Sequence, residues 1–397
     1  MDFQKLTGTI LLLFMALFWS INASGQSVNY SKFGKGLQFI AADSSFSVQM
    51  GLRFQVLYSG GQNLTPEQDW EDQFLIRRSR LKFSGFAYSP KLEYKVELGL
   101  SNRDIGGTLS EEQNFASNVI LDAVAKWNFA KGWELFVGQT KLPGNRERLI
   151  SSQQMQFVDR SLLNSRFNID RDAGLQLHHE HTLGNVLVRE ITSISSGEGR
   201  NITADNAGGY DFTAKIEILP LGAFESSGEY VGSDIYREEK PKLAIAAAYD
   251  YNDDASRDRG QLGDYLSDTR DLRTFFADAM FKYKGFSAMA EYAHSQVEGT
   301  PVVSYTETGT VEEAFVTGEA FNIQAGYLFK SNWEVAGRFT TYDPTDATMR
   351  LPEDQYTLGV SRYIVGHSLK VQGDLTLQDT PAQDNTYQAR VQMELAF

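Results

Sequence analysis

Hydrophobic and polar residues alternate along most of this chain with the two-residue period of a β-strand. Between Phe46 and Tyr58, the side chains of Phe46, Val48, Met50, Leu52, Phe54, Val56 and Tyr58 oppose Ser47, Gln49, Gly51, Arg53 and Gln55. The last thirteen residues, NTYQARVQMELAF, set Tyr387, Ala389, Val391, Met393, Leu395 and Phe397 against Gln388, Arg390, Gln392 and Glu394. Successive side chains of a strand point to opposite faces, so each stretch has one apolar and one polar face. Strands of this kind meet lipid on one side and water on the other. Phe397 reads as an interfacial anchor and as part of an assembly signal.

The pattern recurs in Phe74–Tyr88, Leu92–Leu100, Val119–Phe129, Trp133–Leu142, Gly174–Leu183, Val186–Ile194, Tyr210–Leu219 and Leu243–Tyr251. It continues in Leu272–Lys284, Phe286–Gln296, Ala320–Phe329, Trp333–Tyr342, Gln355–Ile364 and Ser368–Gln378. The phase of Val186–Ile194 is ambiguous. Arg362 falls on an apolar face near a strand end, where a long side chain can snorkel. About sixteen strands follow, each near the roughly 9–11 residues that cross a bilayer at a tilt.

The connections alternate in length. Ser89-Pro90, Lys131-Gly132, Gly184-Asn185, Lys284-Gly285, Lys330-Ser331 and Gly366-His367 are tight turns, and longer polar loops separate them. Short periplasmic turns and long outer loops are the mark of a barrel in the outer membrane. The predicted fold is all-β: a transmembrane antiparallel β-barrel over 45–397, preceded by an N-terminal periplasmic segment over 26–44. One connection, 220–241, is long yet falls on the short-turn side, and periodicity offers no account of it.

The first residues carry a different signal. Lys5 precedes an apolar run from Ile10 to Trp19, followed by small residues including Ala23 and Gly25. That run is shorter than the roughly 20 residues a spanning helix needs, so residues 1–25 read as a cleaved secretory signal; the alternative is a membrane anchor. A mean hydropathy of -0.34 excludes a helical membrane protein. Aromatics reach 12% of the chain, enough for interfacial girdles. Cysteine is absent, which removes disulfides and thiol chemistry. A net charge of -14 argues against nucleic acid as a partner.

Candidate chemistry is concentrated in two places. The third outer loop, 143–172, reads PGNRERLISSQQMQFVDRSLLNSRFNIDRD and mixes Arg146, Arg148, Arg160 and Arg166 with Leu149, Ile150, Met155, Phe157, Leu162, Leu163 and Phe167. A loop this apolar needs a surface to pack on. Folded into the lumen it would narrow the pore and set selectivity; the alternatives are a surface cap or an oligomer contact. The second place is FLIRRSRLKFSGFAY, where Leu81 and Phe83 mark the lipid face and Arg78, Arg80 and Lys82 share the other, about 7 Å apart. Arg53 faces inward on the neighbouring strand. Low-dielectric walls focus such a field and concentrate anions. Equally, these cations pair with lumen carboxylates such as Glu93, Glu97 and Asp122.

The remaining features carry less. Glu67, Asp69, Glu71 and Asp72 crowd the first outer loop, with further acidic runs over 253–271 and 297–317. They read as solvation. In His178-His179-Glu180-His181, strand geometry puts His179 and His181 on one face and His178 and Glu180 on the other, so no metal site is expected. No cofactor is implied. Neither a serine-nucleophile elbow nor a phosphate loop occurs in the sequence.

Residues 74–104 (FLIRRSRLKFSGFAYSPKLEYKVELGLSNRD) and 137–177 (VGQTKLPGNRERLISSQQMQFVDRSLLNSRFNIDRDAGLQL) resemble the phosphate-selective porin O and P family. The resemblance implies a sixteen-stranded, trimeric porin whose inward loop and basic lumen attract phosphate-like anions. Carried onto this sequence, the anion path would use Arg78, Arg80, Lys82, Arg146, Arg148, Arg160 and Arg166. Glu147, Asp159, Asp170 and Asp172 lie among them and dilute that charge. The expectation is a passive channel for small anionic solutes such as phosphate. It would be set in outer-membrane lipid and lipopolysaccharide and inserted by the barrel assembly machinery. The alternatives are a barrel enzyme, such as a lipase or protease, and a non-conducting adhesion barrel.

Overall fold

The computed structural model describes residues 27–29, 32–63, 70–101, 104, 118–203, 205–381 and 383–397. The signal at 1–25, Glu67 and Asp69 lie outside them. Sixteen strands form one closed antiparallel sheet. The first eight are β1 (Ser47–Asn63), β2 (Glu71–Ala87), β3 (Ser89–Gly99), β4 (Ile120–Ala130), β5 (Trp133–Lys141), β6 (Arg171–Leu183), β7 (Val186–Ser195) and β8 (Asp211–Leu219). The second eight are β9 (Lys242–Arg257), β10 (Tyr265–Tyr283), β11 (Phe286–Val297), β12 (Gly318–Leu328), β13 (Trp333–Pro344), β14 (Glu353–Val365), β15 (Leu369–Asp379) and β16 (Thr386–Ala396).

Each strand pairs with its chain neighbours, and β16 closes on β1 from Thr386↔Asn63 to Ala396↔Arg53. Closure is what lets strands cross a membrane, because it leaves no ladder group unpaired in lipid. No helix among the described residues is long and apolar enough to do so. The alternation sorts as the pattern predicts. In β16, Val391 is 51% exposed on the outer wall, while Gln392 and Glu394 are buried inside. Arg362 lies on the outer face with its guanidinium 5.6 Å from the Trp333 ring, the position of a snorkelling cation at a strand end.

Three departures from the alternation matter. A bulge in β2 pairs Gln55 with Arg78 but Val56 with Ile76, so Arg77 is the extra residue. A bulge adds one residue and shifts the phase of the strand; Phe74 and Ile76 face outward on one side of it, Leu81 and Phe83 on the other. Second, β9 and β10 are unusually long: the stretch 253–271, read as a loop, is mostly an extension of this hairpin, and only 258–264 connects the strands. Third, the N-terminal segment contributes a short strand, Leu37–Ile40, which pairs with Ser47–Met50 of β1 below the end of β16.

Two apolar clusters lie inside the barrel and off centre, apart from a third at the β9–β10 hairpin around Ala255, Leu272 and Phe315. One joins Leu162, Leu163, Phe167 and Ile169 to inward-facing Ala248, Phe276, Ala293, Ala320 and Tyr342 of β9–β13. A second joins Ile150 and Met155 to Leu187, Leu219, Phe224, Ala244, Met280 and Met289. Small wall residues make room for the bulkier loop side chains, as close packing requires.

Candidate permeation path

Residues 142–170 carry two short helices, α1 (Arg146–Leu149) and α2 (Leu162–Phe167). Ser161 caps α2, accepting from the Asn164 amide at 3.2 Å. Its own amide donates to the Glu147 carboxylate at 3.0 Å, tying the two helices together. The loop's backbone is held by inward side chains of the far wall. Val158 N donates to Asp374 at 3.1 Å, Arg338 donates to the Asp159 carbonyl at 2.9 Å, and Gln156 donates to Ser287 at 2.9 Å and Glu334 at 2.8 Å. The Phe157 ring rests on Gly359, where a Cβ would fall 3.0 Å from it. One side of the loop is thus committed to β9–β15, and the opposite side turns its cations toward β1–β5.

Between the loop and that wall runs a series of cavities. The outermost, about 850 Å³, is bordered by Ser59–Gln62, Gln355 and Gln378. It leads through Gln355 and Gln378 to a cavity of about 450 Å³ that takes in Arg77, Arg78, Arg148, Arg160, Arg166 and Arg390. Next is one of about 350 Å³, sharing four of those arginines and adding Arg80, Lys95, Lys141, Arg171 and Arg200. The innermost, about 260 Å³, shares Arg80 and Lys95 and reaches Arg53, Lys82 and Phe397. None of the four takes a residue from β8 to β13.

Carboxylates offset part of this charge. Arg80 pairs with Glu97 at 3.0 Å and Asp104 at 2.6 Å; Arg53 lies 3.6 Å from Glu97 and 3.7 Å from Glu394; Lys95 meets Asp122 at 2.8 Å. Arg148 pairs with Asp170, Arg166 with Glu353, and Arg171 with Asp122 at 3.1 Å. Arg78 donates to Gln55 at 2.8 Å and lies 3.7 Å from Asp159. Three cations have backbone carbonyls instead. Lys141 Nζ donates to those of Arg148 and Leu149 at 2.6 and 3.0 Å, Arg160 to those of Glu147 and Ile150 at 3.0 and 2.8 Å, and Arg200 to that of Asp104 at 3.1 Å. Among the described residues none of these three lies within ion-pair distance of a carboxylate. Burial, then the Arg148 charge, pushes the Arg160 guanidinium below its ordinary value. Burial works to raise the Asp159 and Asp170 carboxyls, but Arg77 and Arg78 beside the first and Arg148 and Arg171 beside the second hold both well below the usual range.

A profile of the phosphate-selective porin O and P family matches residues 48–395. The chain belongs to that family. This porin is 21% identical, over 380 residues, to an uncharacterized protein of Aquifex aeolicus, with 88% of this chain and 87% of the relative covered. In fold it is similar to the anion-selective porin of Comamonas acidovorans, with a TM-score of 0.56 at 11% identity over 89% of this chain and 100% of that one. It is likewise similar to the outer membrane channel DcaP of Acinetobacter baumannii, with a TM-score of 0.52 at 11% identity over 88% and 97%. Family and fold are those of an outer-membrane channel rather than an enzyme.

The porin's expected path residues divide. Arg53, Arg78, Arg80, Lys82, Arg148, Arg160 and Arg166 all border the cavities. Arg146 does not. It is fully buried on the opposite side of the loop, 2.6 Å from Asp278 and 2.7 Å from Glu217. Periodicity missed Arg77, which strict alternation assigns to the membrane. It also gave no weight to Lys95, Lys141, Arg171, Arg200 and Arg390, which single strands or loops supply one at a time. The separation of His178-His179-Glu180-His181 by strand face holds, but β7 adds a partner. Glu190 joins His179 and His181 on the outer wall, their ligand-type atoms all within 4.8 Å, with His179 stacked on Trp133.

Proposed function

We propose that this porin is a passive channel favouring small anions, phosphate among them, with the 143–172 loop as its constriction. What supports the reading is the run of cavities between loop and wall, where Lys141, Arg160 and Arg200 have no carboxylate within ion-pair distance among the described residues. An anion entering from the outer vestibule passes from the arginines near Arg166 to those near Arg80 and leaves past Lys82. Arginine forks suit phosphate oxygens, and partial pairing keeps each station weak enough to release its guest. The fold shared with a porin named as anion-selective agrees with this direction. A homotrimer is in keeping with the trimer form named for OmpT of Vibrio cholerae, at a TM-score of 0.51. Residues 1–25 would direct export, Phe397 would serve assembly, and lipid and lipopolysaccharide would surround the outer wall.

The test is single-channel recording of the refolded porin in a planar bilayer under a chloride gradient, with phosphate then titrated in. Anion-selective steps that phosphate blocks are expected. Cation-selective steps would overturn the anion assignment, and a folded barrel without conductance would overturn the channel itself.

A further inference from the structure

The connection between β8 and β9, residues 220–241, lies on the periplasmic side, where the other turns have at most four residues. A long turn there would ordinarily hang in water. This one is buried: Glu229, Ser233 and Asp234 are wholly inaccessible and Val231 nearly so. Its polar groups find their partners on the inner wall and in the β10–β11 turn. Lys282 Nζ, itself buried, donates to the carbonyls of Val231 and Ser233 at 2.8 and 2.7 Å. Asp234 accepts from the Gly285 amide at 2.6 Å, and Glu229 accepts from Arg189 at 2.6 Å.

The segment also touches the constriction loop from below. Gly232 N donates to the Gln154 carbonyl at 2.8 Å, and Arg146 donates to the Glu229 carbonyl at 3.3 Å. Phe224 joins Ile150 and Met155 in one apolar cluster. The two backbones meet so closely at Gly232 that an added Cβ would fall 2.5 Å from Gln156 N.

We infer that 220–241 is a periplasmic plug that seals the β7–β13 half of the lumen against the constriction loop and confines flow to the cationic side. The inference rests on the porin reading and extends it to selectivity. The wall beside the plug carries Glu217, Asp278, Glu291 and Glu334, and Arg189, Lys215 and Lys282 of the wall with Arg146 of the loop supply an equal number of cations. A pore opened there would have no sign preference. It would run in parallel with the cationic path and dilute its selectivity, because the currents of two parallel routes add and the unselective one carries both signs of ion.

Deleting residues 222–239 tests this. In a variant that keeps heat-modifiable migration, conductance is expected to rise by roughly two-fold or more while the anion/cation permeability ratio falls toward unity. Unchanged conductance and ratio would overturn the plug. Labelling supplies a test that does not need the deletion to fold. The chain has no cysteine, so Ser287→Cys, buried beneath loop and plug, should resist a membrane-impermeant thiol reagent from both sides, while Lys82→Cys in the open path reacts. Equal reactivity of the two would overturn the seal. A parent channel without anion preference would instead overturn the reading on which the plug rests, whatever the deletion does.

Discussion

Arg77 grips Asp159 with two hydrogen bonds from one guanidinium nitrogen, at 2.8 and 2.9 Å, joining a strand residue that alternation assigns to lipid to the 143–172 loop. Only the β2 bulge makes the contact reachable. Arg77→Ala would leave Asp159 with Arg78 and Arg390 at 3.7 and 3.9 Å. A loss of about 2–3 kcal/mol is expected for charge-assisted bonds of this kind. It should appear as a lower unfolding temperature in heat-modifiable migration and as noisier open-channel current. A variant with parental stability and quiet current would contradict the tether.

Arg146 and its neighbours Arg148 and Arg160 should separate experimentally. Arg146→Ala takes one partner from buried Asp278 and Glu217, which keep Lys215 at 3.6 Å and Arg189 at 2.8 Å, so the cost should fall short of the about 3–5 kcal/mol of an unpaired buried charge. Because Arg146 does not face the open path, whatever folds should keep its anion preference. Arg148→Ala/Arg160→Ala should fold and lose much of that preference, since it also exposes Asp170. Reversal potentials under a salt gradient decide between them, and the assignment fails if Arg146→Ala is the variant that abolishes anion preference.

Acid should act late. Although burial opposes it, the arginines around Asp159 and Asp170 depress both carboxyls, and Arg80 does the same for Asp104. A depressed folded value means that these pairs stabilise the loop fully above the ordinary aspartate value of about 3.9 and lose their contribution only as pH falls through the lower folded values. Reversal potential should therefore stay flat from neutral pH down through about 4, and move toward stronger anion preference only well below that, as the carboxylates discharge. A shift already complete near pH 5 would mean that these carboxylates are not held by arginine.

Phe397 offers a separation of folding from assembly. Its backbone exchanges two hydrogen bonds with Leu52, at 2.8 and 2.9 Å, while its ring is half exposed on the outer wall. Phe397→Ala keeps both backbone bonds. Refolding in detergent should be unaffected, whereas the amount reaching the outer membrane of cells should fall. Equal surface levels would remove the ring from any role in assembly.

Strand identity and facing were legible because lipid on one side and water on the other impose a period that local composition cannot hide. The phase slip between Phe74–Ile76 and Leu81–Phe83 was present in the sequence too, and it marks the bulge that carries Arg77. The direction of Arg146 was not legible, since a loop has no period and the carboxylates that attract it sit on β8 and β10, far along the chain. The place of 220–241 depended in the same way on Lys282 and Gly285, partners that no local pattern reveals. The extension of β9 and β10 was masked by aspartates, which read as loop residues although the hairpin continues through them.

The short strand Leu37–Ile40 has a consequence for solubility before insertion. β1 begins at Ser47, but β16 and Phe397 cover it only from Leu52 onward, so the first residues of β1 would present unpaired amides and carbonyls at the short-turn rim. An uncovered edge is a template for another chain's strand. By zipping onto Ser47–Met50, the N-terminal segment acts as a selvedge that keeps barrels from being stitched to one another, and a chain trimmed to begin at 45 should refold with a markedly greater tendency to form strand-linked aggregates.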